Sequence, residues 1–145
     1  MHSPILAPIV ALVAWSLVMQ VWLYATRIPA MQAARIPLDP NRAPGELTAG
    51  LPPQVRWKAD NYNHLMEQPT IFYAIAIVHA LMGTGHGINL WLAWGYVGFR
   101  IVHSIVQATV NIVAMRFPLF ALASLCVLGL TIHAGARILH DCGIL

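Results

Sequence analysis

Residues 71–100 read IFYAIAIVHALMGTGHGINLWLAWGYVGFR, two apolar runs joined by Gly83-Thr84-Gly85-His86-Gly87. The glycines end the first run, and so short a connection makes the second run return antiparallel beside it. Extended outward, the first run begins near Lys58 with the polar stretch Asp60-Asn61-Tyr62-Asn63-His64 and turns apolar after Glu67 and Pro69. It reads as a span over about 60–82, and the second run as a span over about 88–113 with Trp91 and Trp94 as outer anchors. A further apolar run follows Ala114-Met115-Arg116 at about 117–139, and another precedes at about 5–24, closed by Trp22, Tyr24 and Arg27. Each approximates the ~20 residues that cross a ~30 Å hydrocarbon layer. The pattern predicts an all-α, integral membrane four-helix bundle, antiparallel, as a single domain over 1–145, without strand signals or internal repeats.

Composition agrees. Of 145 residues, 59% are hydrophobic and 9% charged, against roughly 25% charged in ordinary soluble domains, which excludes a soluble monomer. The net charge of +3 is concentrated in the linker of about 27–58, which carries Arg27, Arg35, Arg42, Arg56 and Lys58. A cationic cluster in a short loop between spans follows the positive-inside rule rather than nucleic-acid binding, so the loop is expected in the cytoplasm. Arg116 returns to the same side, which leaves both termini outward. Pro29, Pro37, Pro40, Pro44, Gly45, Gly50, Pro52 and Pro53 make that linker a loop with short ordered pieces at most. Met1-His2-Ser3-Pro4 lacks a basic n-region, so the first run is read as a retained helix. With no organelle retention signal, the expected location is a bacterial inner membrane. Cys126 and Cys142 stand sixteen positions apart in one helical run, about 24 Å at helical rise, too far for a disulfide. Neither joins a metal-spaced cluster, and no metal site is expected.

Two polar stripes stand out. Arg100, His103, Ser104, Gln107 and Asn111 fall at offsets 0, 3, 4, 7 and 11 of the third span, and Asp60, Asn63, His64 and Glu67 at 0, 3, 4 and 7 of the second. At ~100° per residue each set shares one helix face. Ionisable groups in a bilayer need partners or water, so the stripes are expected to face each other and form a polar cleft open to the cytoplasm. A plainer reading pairs Glu67 with Arg100 and leaves His103, Gln107 and Asn111 as interhelical hydrogen-bond glue. His79 and His133, isolated in apolar runs, read as neighbour-bonded histidines; as haem ligands with His103 they lack any supporting motif.

The stretch from Asp60 to Pro69, followed by Val97-Gly98-Phe99-Arg100-Ile101-Val102-His103-Ser104 and by Met115-Arg116-Phe117-Pro118, resembles the MAPEG family, the membrane-associated proteins in eicosanoid and glutathione metabolism. The resemblance implies a homotrimer of four-helix subunits that binds glutathione as co-substrate near the cytoplasmic face and receives a lipophilic small molecule, an electrophile, from the membrane lipid. It implies that Glu67 contacts the glutathione amino group and that Asn63, His64, Arg100, His103 and Gln107 line the binding site. Arg116 and Arg27 are then the candidate thiolate partners. The implied activity is that of a glutathione-dependent transferase or peroxidase. Mammalian enzymes of the family read Arg-x-x-Arg-Asn-x-x-Glu in the second span, where this chain has Asp60, Asn63, His64 and Glu67. Those replacements support the alternative of a non-catalytic lipid-binding or scaffold member of the same fold.

Overall fold

A computed structural model describes residues 2–36, 41 and 43–143. Met1, Pro37, Pro40 and Arg42 lie outside the described residues. Among the described residues the chain is helical throughout, with no strand: α1 (Leu6–Ala33), α2 (Pro44–Thr48), α3 (Pro53–Glu67), α4 (Pro69–Leu81), α5 (Gly87–Thr109) and α6 (Val113–Asp141). α3 and α4 meet at Gln68, whose backbone is itself helical, so they form one bent rod. The bend falls where Pro69 has no N–H to offer the carbonyl of Leu65. Four antiparallel rods result. α5 and α6 form the most extensive pair, while α1 packs on α3, α4 and α5.

Helix ends depart from the sequence reading in several places. α1 does not stop near Tyr24 but runs to Ala33 with Pro29 inside it. Proline forfeits one backbone bond there, and the Ala-Met-Gln-Ala run that follows is strongly helix-forming. At the other end of the linker, α3 begins at Pro53 rather than near Lys58, because proline is pre-organised for a first helical turn. The span read as 88–113 ends as a helix at Thr109, and α6 starts at Val113 rather than Phe117. Asn111 causes the break with φ +53°, and its N–H reaches back to the Val106 carbonyl at 2.7 Å. Asparagine is among the few L-residues that adopt this left-handed closing conformation readily.

The core repeats at helical spacing. On α1, Pro8, Leu12, Ser16, Met19 and Leu23 face inward, while Val10, Val13, Leu17, Val18 and Val21 are exposed. α6 buries Ala123, Cys126, Val127, Leu130 and Ala134 and exposes Leu122, Leu125, Leu128 and Ile132. Such a largely apolar exterior suits lipid, and α1 and α6 are both long and apolar enough to cross a bilayer. Close approach of α5 and α6 depends on Gly129, where an added Cβ would sit 3.2 Å from Leu92.

Polar ties cross this core. Asn61 Nδ2 donates to Ser104 Oγ at 2.8 Å, joining α3 to α5, and Gln68 Nε2 donates to Ser124 Oγ at 2.7 Å, joining the bend to α6. At the end of the bundle that holds the α4–α5 turn, buried His79 lies 3.0 Å from the Leu130 carbonyl through Nε2 and 2.8 Å from Thr84 Oγ1 through Nδ1. A carbonyl only accepts, so His79 carries a proton on Nε2. His133 Nδ1 meets Asn89 Oδ1 at 2.7 Å nearby. With Nε2 of His79 bonded across to α6 and Nδ1 to the α4–α5 turn, His79→Leu is expected to cost about 1–2 kcal/mol. A lowered thermal midpoint in detergent checks this.

Candidate functional site: a cationic cavity between α3, α5 and α6

The buried face of α5 carries Arg100, His103, Ser104 and Gln107, as the stripe predicts. Asn111, read as its last member, lies beyond the helix end and instead accepts a hydrogen bond at Oδ1 from Arg116 Nη1. The α3 stripe is placed differently. The inward positions of α3 are Lys58, Asn61 and Leu65, whereas Asp60, Asn63 and Glu67 are exposed and only His64 is half-buried. At ~100° per residue the two sets are centred about 140° apart. The two stripes therefore do not face each other within one chain. Only His64, at the edge of its stripe, meets the α5 stripe.

Arg100 is fully buried, at 0% exposure. Its Nη2 donates to the His64 carbonyl at 2.7 Å, and Nη1 and Nη2 each lie 3.3 Å from His64 Nδ1. The guanidinium stands 5.8 Å from the Phe120 ring centroid, and its Nε has no partner among the described residues. Glu67 does not neutralise it: among the described residues, no ion pair involves Arg100. The plainer Glu67–Arg100 pairing is therefore not what the fold contains. A buried cation without a carboxylate partner is costly, by several kcal/mol, and suits an anionic ligand.

Beside it, His64, His103, Val113, Arg116, Phe117 and Phe120 line an open cavity of about 220 Å³. The His64 and His103 ring centroids are 5.2 Å apart, and His64 meets Phe120 edge to face at 5.3 Å. His103 is 2% exposed. Arg116, half-buried, is tethered by Asn111 and keeps an unpartnered Nε. Gln107 is buried, and its Oε1 is likewise unpartnered.

Of the two arginines expected near a thiolate, only Arg116 borders this cavity. Arg27 lines a second one of about 220 Å³ with Gly45, Thr48, Leu51, Val55, Arg56, Ala59 and Asp60. The structure thus brings together Arg100, His64, His103 and Arg116. It sets Gln107 on the same buried face, and holds Asn63, Glu67 and Arg27 apart from the cavity. Asn61, Phe117 and Phe120 are not among the site residues expected from the sequence. Asn61 is in helical register with Leu65, Phe72, Ala76 and His79, all buried, which would have marked it as inward. Phe120 follows Arg116 by four, on the same face. Among the described residues, no group of three or more His, Cys, Asp or Glu side chains could hold a metal ion, and both cysteines are free.

Antiparallel apolar rods, a lipid-facing exterior and a cationic cavity beside the α5–α6 turn define a helical membrane-protein class. Within it the assignment is direct. The model of the MAPEG family matches residues 5–136, and the chain belongs to that family. No curated protein and no solved structure matches it.

Proposed function

We propose that this chain is a glutathione-dependent transferase or peroxidase for lipophilic electrophiles, working at the cytoplasmic boundary of the membrane. One observation carries the reading: Arg100, buried and with no carboxylate partner among the described residues, grips His64 in the wall of a cavity lined by Arg116. The two arginines supply the charge that an anionic thiol ligand requires. A thiol with a reference pKa of about 8.5 is mostly protonated at neutral pH, and a guanidinium beside it favours the nucleophilic thiolate. Arg116 fills that role here, and Val113, Phe117 and Phe120 offer an apolar wall to the electrophile.

About 220 Å³ is below the roughly 300–1,000 Å³ of complete small-molecule sites. The cavity therefore takes the reacting end of the ligand. The rest extends over the exposed stripe of Asn63 and Glu67, where a second copy of the chain completes the site and brings its own Arg27, consistent with a homotrimer. Glu67 there receives the ammonium group of glutathione. Family membership and the cationic 27–58 segment support placing this end in the cytoplasm, with a bacterial inner membrane as the proposed location. The reading is tested by glutathione-dependent consumption of a long-chain electrophile by the purified protein in detergent. Saturation in glutathione is the expected result. A rate no higher than without protein contradicts it.

A further inference from the structure

The cavity wall carries two imidazoles, and hydrogen-bond chemistry separates their roles. Both Nη atoms of Arg100 lie 3.3 Å from His64 Nδ1. A guanidinium has only N–H donors, so Nδ1 must accept, and the neutral ring carries its proton on Nε2, at the opposite edge. The bond from Arg100 Nη2 to the His64 carbonyl at 2.7 Å holds the backbone in the same grip. Packing against His103 at 5.2 Å and Phe120 at 5.3 Å restrains the ring. With its lone pair committed to Arg100, His64 has one polar offer left for a ligand, the Nε2–H. Polarisation by the guanidinium strengthens that donor.

We propose that His64 Nε2–H donates to an oxygen of the electrophile. The site would then act on electrophiles that gather negative charge on oxygen, the α,β-unsaturated carbonyls first, in preference to those that expel a halide. This inference rests on the reading of the chain as glutathione-dependent. In the step, the thiol proton leaves to water and the thiolate beside Arg116 attacks the β-carbon. A carbon–sulfur bond forms, the alkene π pair moves toward the carbonyl, and the enolate oxygen accepts the His64 hydrogen bond. Water then protonates the α-carbon, so that sulfur and hydrogen have added across the double bond without an oxidant or reductant. A departing chloride spreads its charge over a larger ion and gains less than an enolate oxygen from a single N–H donor. Among the described residues, Arg116 is the one arginine or lysine lining the cavity, and it is engaged with sulfur.

A fixed donor at a developing oxyanion contributes about 10²–10³ in rate. The test measures kcat/KM of the full chain in detergent at saturating glutathione, with a long-chain enone and with benzyl chloride as electrophiles, for the wild type, His64→Phe and His64→Gln. His64→Phe is expected to reduce the enone rate about 10²-fold more than the benzyl chloride rate. His64→Gln, whose side-chain N–H reaches a similar point, is expected to recover most of that difference. An enone to benzyl chloride ratio within about twofold of wild type in both variants overturns the role of His64. A wild type that turns over neither electrophile overturns the glutathione reading itself, so the two failures are distinct.

Discussion

Arg116→Leu is expected to reduce glutathione turnover by about 10²–10³-fold while the helices remain assembled. Arg116 borders the cavity, is anchored by Asn111 at Nη1 and leaves its Nε without a protein partner. A guanidinium anchored at the cavity wall is pre-organised for an anion and needs little reorganisation when charge appears on sulfur. The substitution removes that charge from a half-buried position near the end of the bundle, so the fold should tolerate it. The measurement pairs kcat with the ultraviolet absorbance of enzyme-bound thiolate. Both should fall together. A normal kcat with leucine in place would move thiolate stabilisation to another residue.

Arg100→Met is expected to act in opposite directions on function and stability. Glutathione affinity should drop by at least about tenfold, as expected when a buried charge partner is removed. Thermal stability should stay level or rise by a few degrees, because a buried ion with no counter-charge costs several kcal/mol that its hydrogen bonds only partly offset. Arg100 bonds His64 and faces Phe120 but meets no carboxylate among the described residues. Methionine keeps much of the volume and packs on the same ring. Calorimetric binding and a detergent melting curve read the two effects. A steep loss of stability would make Arg100 a structural strut rather than a ligand-binding cation.

Much of this was legible in the residues because the bilayer imposes simple rules. Spans announce themselves as apolar runs, the GTGHG turn allows only an antiparallel return, and the α5 stripe from Arg100 to Gln107 is buried as its period requires. Helix ends were less legible. Pro29 reads as a stop but lies within α1, and Asn111 reads as helical but closes α5 through a positive φ. Both depend on local backbone energies that a hydropathy pattern does not contain. The α3 stripe misled for a different reason. Periodicity groups Asp60, Asn63, His64 and Glu67 on one face, but it does not say whether that face meets a helix of the same chain or something outside it. The register of Lys58, Asn61 and Leu65 turns it outward, and a single half-buried residue at its edge, His64, makes the connection to Arg100.

That outward face decides the account. Glu67 is exposed, makes no ion pair among the described residues, and engages Thr70 only through its backbone carbonyl at 2.6 Å, so its carboxylate is available to an ammonium group. The most direct measurement is the calorimetric titration of the purified, detergent-solubilised protein with glutathione, alongside Glu67→Ala. The account predicts saturable binding by the wild type and affinity weakened at least about tenfold in the variant, the cost of one charge-assisted contact. Absence of binding by the well-folded wild type, or equal affinity in both, would contradict it.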